Sequence, residues 1–164
     1  MTRRILHWLL AALLVGLVGC DHATKIAARA ALGEGRVVTV IPNVLDLRYA
    51  ENRGTAFSVF PGAHGAGTMV LLVAVSLFAI GALVVYWWRV RKNGAATQLA
   101  CALVVAGAIG NLADRAVRGF VVDFVHLHHW PIFNVADVAI TIGVAMLLVV
   151  SLTRAKKRAA RRAD

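Results

Sequence analysis

Polar side chains are scarce along this chain, and where they fall divides it into segments. Apolar runs extend over 5–31, 67–88, 95–113 and 135–152. Each is close to the roughly 20 residues that an α-helix needs to cross a hydrocarbon slab, which predicts four spans. The first run is purely apolar only as far as Gly19, and Trp87 and Trp88 end the second beside Arg89 as interfacial aromatics do. Between the first two runs the period changes. Arg36-Val37-Val38-Thr39-Val40-Ile41 and Val44-Leu45-Asp46-Leu47-Arg48-Tyr49 are β-rich and separated by Pro42-Asn43, which predicts a small sheet resting on the membrane. Pro61-Gly62 and Gly65 break the chain before the second span.

Composition agrees with a membrane protein: 60% of the 164 residues are hydrophobic, and mean hydropathy is +0.74. The net charge of +10 would suggest nucleic acid in a soluble protein. Here the basic residues flank the apolar runs, so no nucleic-acid partner is expected. Arg3, Arg4, Arg89, Arg91, Lys92 and the basic tail collect on one side, with Asp164 as their only acid. The positive-inside rule makes that side cytoplasmic. The expectation is an all-α, four-span protein with both ends inside and a β-rich cradle in the first outer segment. A second outer loop, 114–134, follows span three. Residues 1–152 form a single domain in this reading, and 153–164 a basic cytoplasmic tail near anionic phospholipid. Cys20 and Cys101 differ in depth by roughly 13 Å, too far for a disulfide.

Depth makes the remaining polar groups informative. At 1.5 Å per residue, Asp21 lies roughly 24 Å up span one, Asn111 roughly 24 Å along span three and Asp137 roughly 22 Å up span four. Asn52, Asp114, Arg115, Asp123 and Asn134 follow just beyond those ends. A polar layer at one depth points to a site facing the bundle interior, because an acid at a span's centre costs about 2.5–3.5 kcal/mol on insertion scales.

Asp123 and Asp137 are the candidate chemistry. Two neighbouring carboxylates tend to share one proton, so one can activate water while the other polarises a carbonyl. That is hydrolysis of a peptide bond without a metal or cofactor. Asp137 also suits position N3 of a helix capped by Asn134, and a cap is compatible with catalysis. Asp21 and Lys25 have the i, i+4 spacing of an ion pair. Arg115 could hold a substrate carbonyl or lipid ester, or neutralise Asp114. His126, His128 and His129 match no standard zinc spacing and read as a wet interfacial loop. Other readings are a small intramembrane proton or ion carrier, which predicts acids spread through the slab, a lipoprotein beginning at Cys20, which three further spans oppose, and a zinc hydrolase using the histidine cluster, which predicts loss of activity with chelator and recovery with zinc.

Five blocks in order carry a resemblance: Asp21-His22-Ala23-Thr24-Lys25, Asn52-Arg53-Gly54-Thr55-Ala56-Phe57, Gly107 to Arg115, Val121-Val122-Asp123-Phe124 and Phe133-Asn134-Val135-Ala136-Asp137. Together they resemble the lipoprotein signal peptidase (signal peptidase II) family over roughly residues 5–152. The resemblance implies an aspartic endopeptidase of the bacterial inner membrane, with its active site at the outer, periplasmic face. Its substrate would be a prolipoprotein with a diacylglyceryl cysteine, cut just before that cysteine. Asp123 and Asp137 match the catalytic aspartates; Asn52, Gly54, Asn111, Arg115 and Asn134 match site-lining positions; Asp21 and Lys25 match a supporting pair. The resemblance also implies inhibition by globomycin and a substrate-cradling outer sheet. His22 stands where the family usually has Gln and Thr55 where it often has Ala, departures that predict altered packing rather than altered chemistry.

Overall fold

A computed structural model of the chain describes residues 3–53 and 66–163. Four helices dominate: α1 (Arg3–Leu32), α2 (Ala66–Arg89), α3 (Ala95–Arg118) and α4 (Val135–Ala163). All four are long and apolar enough to cross a membrane. Helix α3 is central and packs against the other three. Most of its side chains are covered by protein, whereas α2 presents its apolar surface outward, as a lipid-facing helix does.

Helix α3 is central because it carries small residues where its neighbours cross. A Cβ on Gly107 would stand 2.4 Å from the Ala136 carbonyl oxygen, and one on Gly110 would stand 2.6 Å from Asp21 Oδ2. With no side chain there, α1 and α4 approach α3 closely enough for their polar groups to meet. The α2–α3 turn is held by Gln98, which accepts from Trp87 Nε1 at 2.6 Å and donates to the Val90 carbonyl at 2.7 Å.

Three short strands form an antiparallel sheet in the order β1 (Val37–Ile41), β2 (Leu45–Asn52) and β3 (Val121–Leu127). The expected pair of β-rich runs is β1 and β2. Their turn at Pro42-Asn43 uses the fixed φ of proline and a positive φ of 60° at Asn43. The third strand corrects the sequence reading, which left 114–134 as a loop. Val121, Val122 and Val125 belong to a β-branched run that completes its backbone bonds on β2. Two helix ends also differ from expectation. Helix α3 passes the expected end at Ala113 because Asp114 and Arg118 find partners inside the fold, and it stops at Gly119, φ 80°. Helix α4 continues past Leu152, since the Ala, Lys and Arg of the tail are strong helix formers. Cys20 and Cys101 are both free thiols.

Candidate active site

The site forms where the N-terminus of α4 meets the C-terminal parts of α1 and α3 and the last residues of β2 and the first of β3. Asn134 is the hub. It caps α4: its Oδ1 accepts from the Asp137 N–H at 3.0 Å, and its own N–H donates back to Asp137 Oδ2 at 3.2 Å. This is a reciprocal capping box with an acid at N3. The Asn134 amide also donates to Asp123 Oδ1 at 2.6 Å. One buried residue therefore holds both aspartates, the Asp123 carboxyl through its side-chain amide and the Asp137 carboxyl through its backbone N–H.

Each aspartate has a second holder. Asn52, from the end of β2, donates to Asp123 Oδ2 at 3.0 Å. Asn111, from α3, donates to Asp137 Oδ1 at 2.8 Å. Asp123 is 3% exposed, and that burial pushes its carboxyl up from 3.8 to about 6. The bond from Asn52 pulls the value down, the Asp137 charge raises it and the Asn134 bond lowers it, each with less effect than burial.

Beneath this pair lies a dry ion cluster. Lys25 is fully buried and its three N–H donors are all matched: Asp21 Oδ2 at 2.7 Å, Asp114 Oδ2 at 2.9 Å and Asn111 Oδ1 at 3.1 Å. Asp21 Oδ1 accepts the Ala136 N–H at 2.9 Å, tying α1 to the first turn of α4. Asp114 Oδ2 accepts the Val122 N–H at 3.2 Å, fixing β3 to α3. Asn111 accepts from Lys25 and donates to Asp137, so it couples the cluster to the site.

Arg115 does not neutralise Asp114. That carboxylate pairs with Lys25 and with Arg118, one turn further along α3. The Arg115 guanidinium instead lies in the field of Asp137, Asp123 and Asp114, and its buried Nε makes no hydrogen bond. Asp21, Lys25, Asn52, Asn111, Asp114, Arg115, Asp123, Asn134 and Asp137 are thus brought to one region, while Gly54 and Thr55 lie outside the described residues. Sequence reasoning missed Arg118, which its i, i+4 spacing from Asp114 could have revealed. It also missed the backbone donors of Val122 and Ala136, for which a sequence carries no signal.

The fold and sequence both have known counterparts. A solved bacterial membrane enzyme superposes with a TM-score of 0.79 at 29% identity, covering 90% of each chain. A lipoprotein signal peptidase of Pseudomonas putida is 41% identical over 158 residues, 93% of this chain and 90% of the relative. One from Clostridium acetobutylicum is 35% identical over 143 residues, 84% of this chain and 90% of the relative. The family model for signal peptidase (SPase) II matches residues 13–153, a stretch that holds every side chain of the site described above. The chain therefore belongs to the signal peptidase II family, peptidases that act on lipoprotein signal peptides.

Proposed function

We propose that the chain is an aspartic endopeptidase that cuts prolipoproteins on the N-terminal side of a diacylglyceryl cysteine, with Asp123 and Asp137 as the catalytic pair. The observation that carries this reading is Asn134, which bonds to both carboxylates from one buried position. Asp137 sits at a helix N-terminus and accepts bonds from Asn111 and Asn134, which hold its side chain at the site. Asp123 is the member that burial drives towards the neutral form. Asp137 then takes a proton from water as the oxygen attacks the scissile carbonyl. Asp123 gives its proton to the carbonyl oxygen. Collapse of the resulting diol breaks the C–N bond: the proton held by Asp137 passes to the leaving amine, and a diol hydroxyl returns its proton to Asp123. Arg115 orients the substrate carbonyl or lipid ester, Asn52 and Gly54 line the site, and Asp21, Lys25 and Asp114 support it. No cofactor takes part.

The charge pattern supports an orientation with both ends of the chain cytoplasmic, in a bacterial inner membrane. Residues 1–152 act as one unit and 153–164 anchor it near anionic phospholipid. The site then opens at the periplasmic face, where the acyl chains of a lipidated cysteine reside, and the sheet cradles the substrate. Globomycin competes for the same site.

Purified protein in lipid, given a diacylglyceryl-modified prolipoprotein, is expected to cut just before the modified cysteine as read by mass spectrometry, to do so with chelator present, and to stop with globomycin. Equal cutting of an unlipidated precursor would contradict the substrate assignment. The pH profile tests the proton assignment. Asp123 has a raised folded value, so its neutral form is fully populated below 3.8 and lost as pH rises through about 6. Accordingly, kcat/KM falls about tenfold per pH unit above that point. A profile flat from about pH 5 to 8 would show that Asp123 is not the essential acid.

A further inference from the structure

The histidines beyond Asp123 have no part in the peptidase reading, and the structure gives two of them a partner. His126 lies on β3 and His128 is the first residue past its end, and their rings stand 5.3 Å apart, centroid to centroid. The β2–β3 register sets Asp46 directly opposite His126. Asp46 Oδ2 lies 2.9 Å from His128 Nε2 and 3.8 Å from His126 Nδ1. One ligand atom from each residue falls within 4.8 Å of the others. This corrects the expectation of a wet loop, in which the histidines would have had no fixed relation.

Three observations suit these groups to a cation. The His126 Nδ1 atom is buried and has no hydrogen-bond partner. Asp46 has only the two histidines as ion-pair partners among the described residues, so no Lys or Arg already neutralises it. His128 also borders an open cleft of about 450 Å³ between the β1–β2 turn and the end of β3, with Asn43 and Trp130 on its walls. The cleft gives an ion a way in and leaves room for water as a further ligand.

We propose that Asp46, His126 and His128 form a site for a divalent transition cation of the Zn²⁺ class, which ties β2 to β3. Two imidazoles and one carboxylate suit Zn²⁺ and its first-row neighbours, whereas Ca²⁺ and Mg²⁺ select all-oxygen sets. Bonds of about 2.0–2.2 Å in tetrahedral geometry separate ligand atoms by roughly 3.3–3.5 Å. Relative to Asp46, that spacing needs about half an ångström of opening at His128 and a similar closure at His126, and the two imidazole nitrogens, now within 4.8 Å of one another, would close as well. The site is three residues along β3 from Asp123, roughly 10 Å at the rise of a strand. It therefore acts on the sheet and takes no part in hydrolysis. The proposal does not rest on the aspartic mechanism.

The test uses the full chain, purified without a polyhistidine tag, freed of metal by chelator and titrated in detergent with Zn²⁺ by calorimetry and with Co²⁺ by visible absorption. One Zn²⁺ per chain is expected to bind, and Co²⁺ should give a visible band that Zn²⁺ displaces. His128→Gln and His126→Gln should each weaken Zn²⁺ binding at least tenfold, while His129→Gln leaves it unchanged. Zn²⁺ should raise the thermal midpoint of the wild type but not that of His128→Gln, and chelator should remove this gain while prolipoprotein cleavage continues. His128 is a third exposed and its side chain bonds to Asp46, so its replacement leaves the buried core untouched. Absence of stoichiometric binding by the wild type would overturn the proposal, as would undiminished binding by His128→Gln.

Discussion

Asp123→Asn and Asp137→Asn are each expected to lower the rate of prolipoprotein cleavage by roughly 10³- to 10⁴-fold, the scale of positioned proton transfer. The two variants should fail for different reasons. At position 137 an amide cannot take the proton from water, although the cap on α4 can persist because the side-chain oxygen can still accept from the Asn134 N–H. At position 123 an amide cannot deliver a proton to the carbonyl oxygen. Its NH₂ must also face one of two donors, the amide of Asn52 or that of Asn134. Such a clash costs about 1–3 kcal/mol, but the change also removes a carboxylate that burial disfavours. Asp123→Asn should therefore melt close to the wild type and lose the stability change around pH 6. Asp137→Asn gives up a favourable dipole interaction of about 0.3–1 kcal/mol. Rates from quenched time courses, with thermal midpoints in the same detergent, separate chemistry from folding. Either variant cutting within tenfold of the wild type would remove its aspartate from the mechanism.

Much of this arrangement was legible in the sequence because a membrane leaves polar residues few options. Runs of about twenty apolar residues have little use except to span, and the four runs became α1 to α4. Counting depth along them put Asp21, Asn111 and Asp137 in one layer, and in the structure the three are linked. Asp21 holds the Ala136 N–H beside Asp137, and Asn111 bonds to Asp137 itself. What stayed hidden depends on pairing between distant parts of the chain. Asp114 and Arg115 were placed beyond the end of span three because charges usually sit outside the slab. Lys25, more than eighty residues earlier, makes a buried acid affordable there and lets the helix continue. Strand β3 was read as loop because its partner, the central strand β2, lies across two spans. The Asp46–His126 opposition requires a register with an irregularity between Leu47 and Ala50, which composition does not reveal. Gly107 and Gly110 were quoted only as parts of a block, since the close approach that needs them exists only once α1 and α4 are in place.

Lys25→Met is expected to be the most destabilising single change in the described chain, at about 3–5 kcal/mol. Methionine is unbranched like lysine and lacks only the terminal nitrogen position, so the loss is chiefly electrostatic rather than steric. Asp21 would keep only the Ala136 N–H, and Asp114 would keep Arg118 and the Val122 N–H. Two carboxylates that had shared one ammonium would then face each other in a site closed to water. They can respond by taking up a proton or by drawing water in, and either response loosens the junction of α1, α3 and α4. Asn111 would also lose one of the two donors to its Oδ1, keeping only the Asn134 amide, which loosens its grip on Asp137, so cleavage should fall along with stability. Pairing the change with Asp21→Asn separates this account from a simple packing defect. Removing the Asp21 charge, which has lost its lysine partner, should make the double variant at least about 1 kcal/mol more stable than the sum of the single changes predicts. Thermal or denaturant midpoints for the four proteins of that cycle measure the coupling directly. Additive losses, or a Lys25→Met protein that melts with the wild type, would mean that the cluster is not what holds the three helices at the site.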